Sequence, residues 1–326
     1  MQDEISYNKN SLDEALKKLG KEIRRLGGKE IRAEITIVGG AAIIAGNTFR
    51  ESTTDIDAIF RAPSLIKDAI NNVAEQNGFT KGWINQDFKN TESYSPKIEQ
   101  YSVYYRTFSN VLQVRILPPE YIAAMKLAAL REYKHDKSDI VGLIHDNKLT
   151  KKQIDHAYCN LYQGYDMKEN GKEAKEFLDR IFQEKDLEKL YKVIQEEERD
   201  SKEILRNIEE NYPNVLKQDT VNDVLKQAIV ARDRKIRKRI EELSIKLKNN
   251  AKMATEFDKD LGTAINETAN FYDSILEMKN LSWQMVDEAA SAFIKDKEES
   301  LTASELLSSL KTLKDEQYSY EYQNER

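Results

Sequence analysis

Asp55 and Asp57 stand two apart in the run Asp55-Ile56-Asp57-Ala58-Ile59-Phe60, whose other members are apolar. An extended chain alternates its side chains, so both carboxylates leave the same face. Upstream, Gly39 and Gly40 follow the β-branched stretch Ile35-Thr36-Ile37-Val38. That order predicts a buried strand, a turn that a Cβ would obstruct, and a helix opening over Ala41–Ala45. Such a turn presents free backbone N–H groups and a positive helix end, which suit a phosphate. Two carboxylates facing a phosphate cradle are how a protein holds magnesium against a nucleotide. Alone, a Gly-Gly is usually a plain turn and an Asp-x-Asp a solvated strand end. Their joint strand–turn–helix–strand context is what carries the chemical reading. Arg50 and Thr54 precede the carboxylates and either contact phosphate or fix the loop.

Gly39-Gly40 followed by Arg50, Thr54, Asp55, Ile56 and Asp57 resembles the signature of the polymerase-β-type nucleotidyltransferase superfamily. Three later segments resemble the bacterial AbiEii-type toxin group and an uncharacterised relative of it. They are Trp83-Ile84-Asn85-Gln86-Asp87, the run Pro119-Glu120-Tyr121-Ile122-Ala123-Ala124-Met125-Lys126-Leu127, and Arg131 followed by Asp136-Lys137-Ser138-Asp139-Ile140. The resemblance spans residues 30–150. It implies a nucleoside triphosphate substrate, two Mg2+ ions on Asp55 and Asp57, phosphate contacts from Gly39, Gly40, Arg50, Thr54 and Arg131, and a catalytic Lys126 facing a β- or γ-phosphate. Read from its own surroundings, Lys126 could be a snorkelling lysine on an apolar helix, but a charge in so apolar a stretch needs a partner, which favours the functional role. Asp139 reads as structural, whereas Asp136 is open between a helix cap, a partner for Arg131 and the rim of the site.

Superfamily members usually carry a third carboxylate on a neighbouring strand. The corresponding stretch here is Asn110–Leu117, where Gln113 and Arg115 occupy the alternating positions. Neither is an anionic ligand or a base. Asp87 and Glu99 are the candidate replacements from other elements, the alternative being chemistry that runs with two carboxylates.

Composition narrows the class. The 326 residues are 33% charged, with 12 Gly, 5 Pro and net charge −6, which predicts two domains rich in long helices. The single cysteine, Cys159, excludes an internal disulfide and reads as an inert core thiol. His135, His145 and His156 lack zinc-ligand spacing. No basic-then-apolar leader and no spanning apolar run occurs, so the expected location is cytoplasmic, without membrane contact.

Periodicity predicts an α+β fold: a small mixed sheet with flanking helices over 1–165, then an all-α domain over 166–326. Ser11 is the predicted cap of a first helix burying Leu12, Leu16, Leu19, Ile23 and Leu26. Pro63 starts another helix. Tyr101–Phe108 and Val111–Leu117 form a hairpin around Ser109-Asn110, and Thr150 caps a helix ending at Tyr162. Further helices are predicted over 172–183, 185–210, 219–248, 252–279, 281–296 and 302–314. Between Ala231 and Lys248, eight basic residues meet three acidic ones. Arg234, Lys235, Arg237, Lys238 and Arg239 there form a solvated face or an RNA contact. Tyr158, Tyr162 and Tyr165 read as core, and Tyr318, Tyr320 and Tyr322 lie on a polar tail. The expected function is transfer of a nucleoside monophosphate to a hydroxyl of tRNA or protein, in a toxin–antitoxin or phage-defence setting with a cognate antitoxin. The alternative is an inactive fold that binds nucleotide or a partner protein.

Overall fold

The structure, a computed structural model, describes residues 6–61, 64–217, 220–278 and 281–297. Pro63, the predicted helix over 302–314 and the tyrosines of the tail lie outside them.

Asn8 opens the first helix, α1 (Lys9–Gly27), through a capping box. Its side chain accepts the Ser11 N–H at 3.0 Å, while the Ser11 hydroxyl accepts the Asn8 N–H at 2.9 Å. Ser11 is therefore the third helical residue and not the cap. Leu12, Leu16, Leu19 and Ile23 are buried, but Leu26, on the same stripe in the last turn of the helix, is 38% exposed.

The sheet is built from β1 (Ala33–Ile37), β2 (Ile56–Arg61), β3 (Ile84–Asn85), β4 (Val103–Phe108) and β5 (Leu112–Ile116), in the order β3-β2-β1-β5-β4. β1 runs antiparallel to β2 and parallel to β5, and β2 runs parallel to β3. The β4–β5 hairpin turns at Ser109 and Asn110, both at positive φ (53° and 60°), as a tight primed turn requires. The two-residue β3 has no counterpart in the sequence reading. It is held by Trp83, which is 1% exposed, whose carbonyl accepts the Ile56 N–H at 3.0 Å and whose indole donates to Ile70 O at 3.2 Å.

Helices α2 (Gly39–Gly46), α3 (Leu65–Asn77), α4 (Ile98–Tyr101), α5 (Pro119–Ala129), α6 (Asp136–Asn147) and α7 (Lys151–Tyr162) complete the α+β part. Thr150 caps α7 as expected, with Gln153 closing a capping box. Tyr158 and Tyr162 are core residues, whereas Cys159 is exposed on the opposite side of α7. The inward stripe runs through Ile154, Ala157, Tyr158 and Leu161, which leaves the thiol on the solvent face.

Two more helices, α8 (Gly171–Gln183) and α9 (Leu187–Asn211), bury Ala174, Phe177, Leu178, Ile181, Leu190 and Ile194 in the same core. The chain divides into compact units at 207/208, beyond the sequence-drawn boundary at 165, because these apolar stripes belong to the first core. The second unit is helical: α10 (Val221–Phe257), α11 (Lys259–Ile275) and α12 (Trp283–Lys297). Ile236, Ile240 and Leu247 pack with Ala269, Tyr272 and Ile275. The predicted break near 250 is absent. α10 continues to Phe257, and Asp258 then caps α11 by accepting the N–H groups of Asp260 and Leu261. No helix among the described residues is long and apolar enough to cross a membrane.

Candidate functional site

Gly39 adopts φ +60°, a left-handed conformation that suits glycine. A Cβ there would stand 3.3 Å from Oδ2 of Asp57. A Cβ on Gly40 would meet Thr53 Oγ1 at 2.8 Å and Arg50 Nη2 at 2.9 Å. The predicted turn therefore exists: the φ of Gly39 favours glycine, and Gly40 leaves room for the Thr53 and Arg50 side chains. Asp57 is fixed by the sheet: its carbonyl accepts the Val38 N–H at 2.9 Å. Asp55 sits on the loop just before β2, with its Oδ1 3.5 Å from the Thr53 hydroxyl. That loop is clipped from the N-terminal side by Tyr7, which exchanges backbone hydrogen bonds with Thr53 at 2.6 and 2.9 Å.

The Asp57 carboxylate has no hydrogen-bond or ion-pair partner among the described residues. Burial pushes its pKa up to about 6, reinforced by the charges of Asp55 and Asp87 and opposed by Arg131 and Lys126. Asp87 is thus within electrostatic reach of the pair. It follows Asn85, the residue opposite Asp57 in the β2–β3 register, and its N–H is held by Asn85 Oδ1 at 2.8 Å. Glu99 belongs elsewhere. It pairs with Arg61 at 2.6 Å, at the far end of β2 from Asp57.

The cations form a buried network. Lys126 Nζ lies 2.9 Å from Asp136 and 2.7 Å from Asp139, both of which are almost fully buried. Arg131 grips Asp136 through Nε (2.8 Å), Nη2 (3.1 Å) and its backbone N–H (3.1 Å). Arg50 Nη1 meets Asp139 at 2.5 Å. Burial opposes the Asp136 charge, yet Lys126 and Arg131 outweigh it and hold the carboxyl well below the ordinary range. Burial likewise opposes the Lys126 charge, and Asp136 and Asp139 overcome it. Lys126 is therefore no free ammonium facing a phosphate. Asp136, left open by the sequence, is the pivot of the network. Three cations face two carboxylates, and the surplus positive charge acts on Asp57.

On β5, Gln113 donates to Glu34 at 2.8 Å, and Arg115 donates to the Ser102 hydroxyl at 2.8 Å and to its carbonyl. Both alternating positions are occupied with contacts to neighbouring segments, Glu34 on β1 and Ser102 just before β4. Among the described residues, no three Asp, Glu, His or Cys side chains converge to hold a metal by themselves. The donor set still fits magnesium, an oxygen-ligated ion that commonly takes one or two carboxylates and completes its shell with substrate phosphates.

In the second unit, Arg237 is a structural residue. It pairs with Asp233 at 2.7 Å and donates to the carbonyls of Leu276 and Met278. Arg239 reaches Glu242 at 3.5 Å. Arg234, Lys235 and Lys238 are exposed.

Residues 14–192 match the model of a family described as a nucleotidyltransferase of unknown function (DUF6036). The chain belongs to this family. The match covers the Gly39–Gly40 turn, the Asp55–Asp57 pair and the whole cation network of this nucleotidyltransferase domain. It ends inside α9. No curated protein and no solved structure matches the chain.

Proposed function

We propose that this nucleotidyltransferase moves a nucleoside monophosphate from an NTP to an acceptor hydroxyl. The acceptor oxygen attacks the α-phosphorus, the bond to the bridging oxygen breaks, and pyrophosphate leaves. One observation carries the reading: in a nucleotidyltransferase domain, an unpartnered, half-buried carboxylate on Asp57 faces a turn whose left-handed φ favours glycine at 39. Asp55 and Asp57 hold magnesium. When bound, the ion offsets phosphate charge and polarises the reacting oxygens. Gly39 and Gly40 offer backbone N–H groups to the phosphates at the start of α2. Asp87 replaces the third carboxylate and takes the hydroxyl proton. Arg50 and Arg131 present the surplus positive charge of the network to the triphosphate, with Lys126 acting through Asp136 and Asp139.

The acceptor is an RNA hydroxyl, tRNA being the resemblance-implied choice, and the exposed Arg234, Lys235 and Lys238 suit its phosphates. By the same resemblance to AbiEii-type toxins, the setting is a toxin with a cognate antitoxin. Incubation with labelled NTPs, Mg2+ and total RNA tests the activity. Transfer of label to RNA is expected, and no transfer to RNA, protein or itself would overturn it.

A second reading is favoured by the occupation of Gln113 and Arg115: a nucleotide-binding module without turnover. Calorimetry separates the two. Tight Mg–NTP binding with no label transfer selects the module.

A further inference from the structure

Helix α9 carries a carboxylate that the transfer reaction does not use. Glu198 is 2% exposed and lies beyond the family-matched residues. Its Oε1 accepts the Ser138 N–H at 3.0 Å and its Oε2 accepts the Ser138 hydroxyl at 2.6 Å. His135 Nδ1 stands 3.3 Å from Oε2, and His135 Nε2 is 2.9 Å from Lys202 Nζ. Ser138 is the third residue of α6, so Glu198 places an anion on the free N–H groups of that helix start. Burying a carboxylate is costly unless it is fully hydrogen-bonded. Each oxygen of this one accepts from Ser138, which lies between Asp136 and Asp139 in the chain.

A second contact of α9 reaches the other end of the same chain of interactions. Tyr191 donates to Phe49 O at 3.4 Å, and the two rings meet edge to face at 6.0 Å. Phe49 also lies against Gly142 of α6, where a Cβ would sit 2.5 Å from its ring. α9 therefore grips the residue before Arg50 and the helix turn that carries Asp139, the Arg50 partner.

We infer that α9 is a positioning element for the nucleotide site, with Glu198 as the positioning residue that fixes Asp139 and, through Arg50, the Gly40 turn. This rests on the nucleotide-binding reading above and adds to it a determinant outside the matched family segment. Glu198 touches no reacting atom. It acts by holding the α6 start in one place, so that Arg50 meets the turn in a prepared geometry.

The test compares full-length Glu198→Ala and Glu198→Gln with Ile181→Ala, a core truncation in the same unit. Each is measured for Tm, for affinity toward a Mg-bound non-hydrolysable NTP, and for amide exchange at Ala41, Ala42 and Asp139. Glu198→Ala should weaken nucleotide binding tenfold or more and speed exchange at those amides. Glu198→Gln, which keeps an acceptor for Ser138, should lie between it and wild type. Ile181→Ala should lower Tm and leave affinity and local exchange near wild type. Unchanged exchange at Ala41, Ala42 and Asp139 in Glu198→Ala would overturn the inference, as would an equal effect of Ile181→Ala. If wild type binds no nucleotide, the transfer reading fails by itself, and the exchange comparison still decides the role of Glu198.

Discussion

Asp57 and Gly39 are neighbours in space because the sheet forces them to be: a Cβ at Gly39 would stand 3.3 Å from the Asp57 carboxylate. Gly39→Ala therefore adds two penalties. Its φ of +60° is unfavourable for alanine by about 1–2 kcal/mol, and its methyl crowds the carboxylate. A lower Tm and a nucleotide affinity reduced at least tenfold are expected by melting and calorimetry.

Asp57→Asn separates stability from function. The folded carboxyl titrates at about 6, above its ordinary value of 3.8. The folded state therefore holds its proton more tightly than the unfolded chain. Wild type loses stability as pH rises from about 4 through about 6, and asparagine removes that loss. The variant should melt higher than wild type at pH 8 and equally at pH 4. The gain has a ceiling of about 3 kcal/mol, a pKa unit being about 1.4 kcal/mol. Label transfer should fall by orders of magnitude. An unchanged melting difference across this range would mean that Asp57 is not held in a desolvated, acidic surrounding.

Asp136→Asn leaves Lys126 and Arg131 buried against one carboxylate fewer. Breaking one partner of a buried pair costs about 3–5 kcal/mol, which urea unfolding measures. The loss should be present throughout the neutral range, because the Asp136 carboxyl is held well below the ordinary carboxylate range and stays ionised until strong acid.

Asp87→Asn addresses the missing strand carboxylate. If Asp87 takes the acceptor proton, transfer should drop at least a hundredfold with little change in NTP affinity. A parallel loss of affinity would assign Asp87 to metal or phosphate binding instead.

The basic helix divides into two groups. Arg234→Glu, Lys235→Glu and Lys238→Glu together should weaken RNA binding and flatten its salt dependence, with the melting temperature retained. Arg237→Ala should destabilise the second unit, since it removes the bond to Asp233 and two carbonyl contacts. Filter binding across a salt series, set beside thermal melts, tells the two groups apart.

The motif turn, the α+β class and most helices are legible in the sequence, because each is written locally as a period, a cap or a glycine pair. β3 is not, since two residues carry no alternation and its register comes from Trp83. The full length of α10 is hidden because Asn249-Asn250 looks like a stop, whereas the actual cap is Asp258. Lys126 is readable as a charge needing a partner, and the partners sit ten and thirteen residues later in the chain. Glu198 is concealed within Glu196-Glu197-Glu198-Arg199-Asp200, which reads as a solvated run. Only the fold turns one of those acids inward. The clip of Tyr7 on Thr53 pairs two short irregular segments, and no local pattern announces it.

The way α8 and α9 complete the first core decides where this gene can be cut. A fragment ending at 165 would keep every residue of the phosphate turn and the carboxylate pair, yet leave bare the surface that Leu178, Ile181, Leu190 and Ile194 cover. Such a piece should be recovered as aggregate, whereas one ending at 207 should be soluble and monodisperse. Failed expression of the shorter fragment would therefore report a severed core and say nothing about the chemistry.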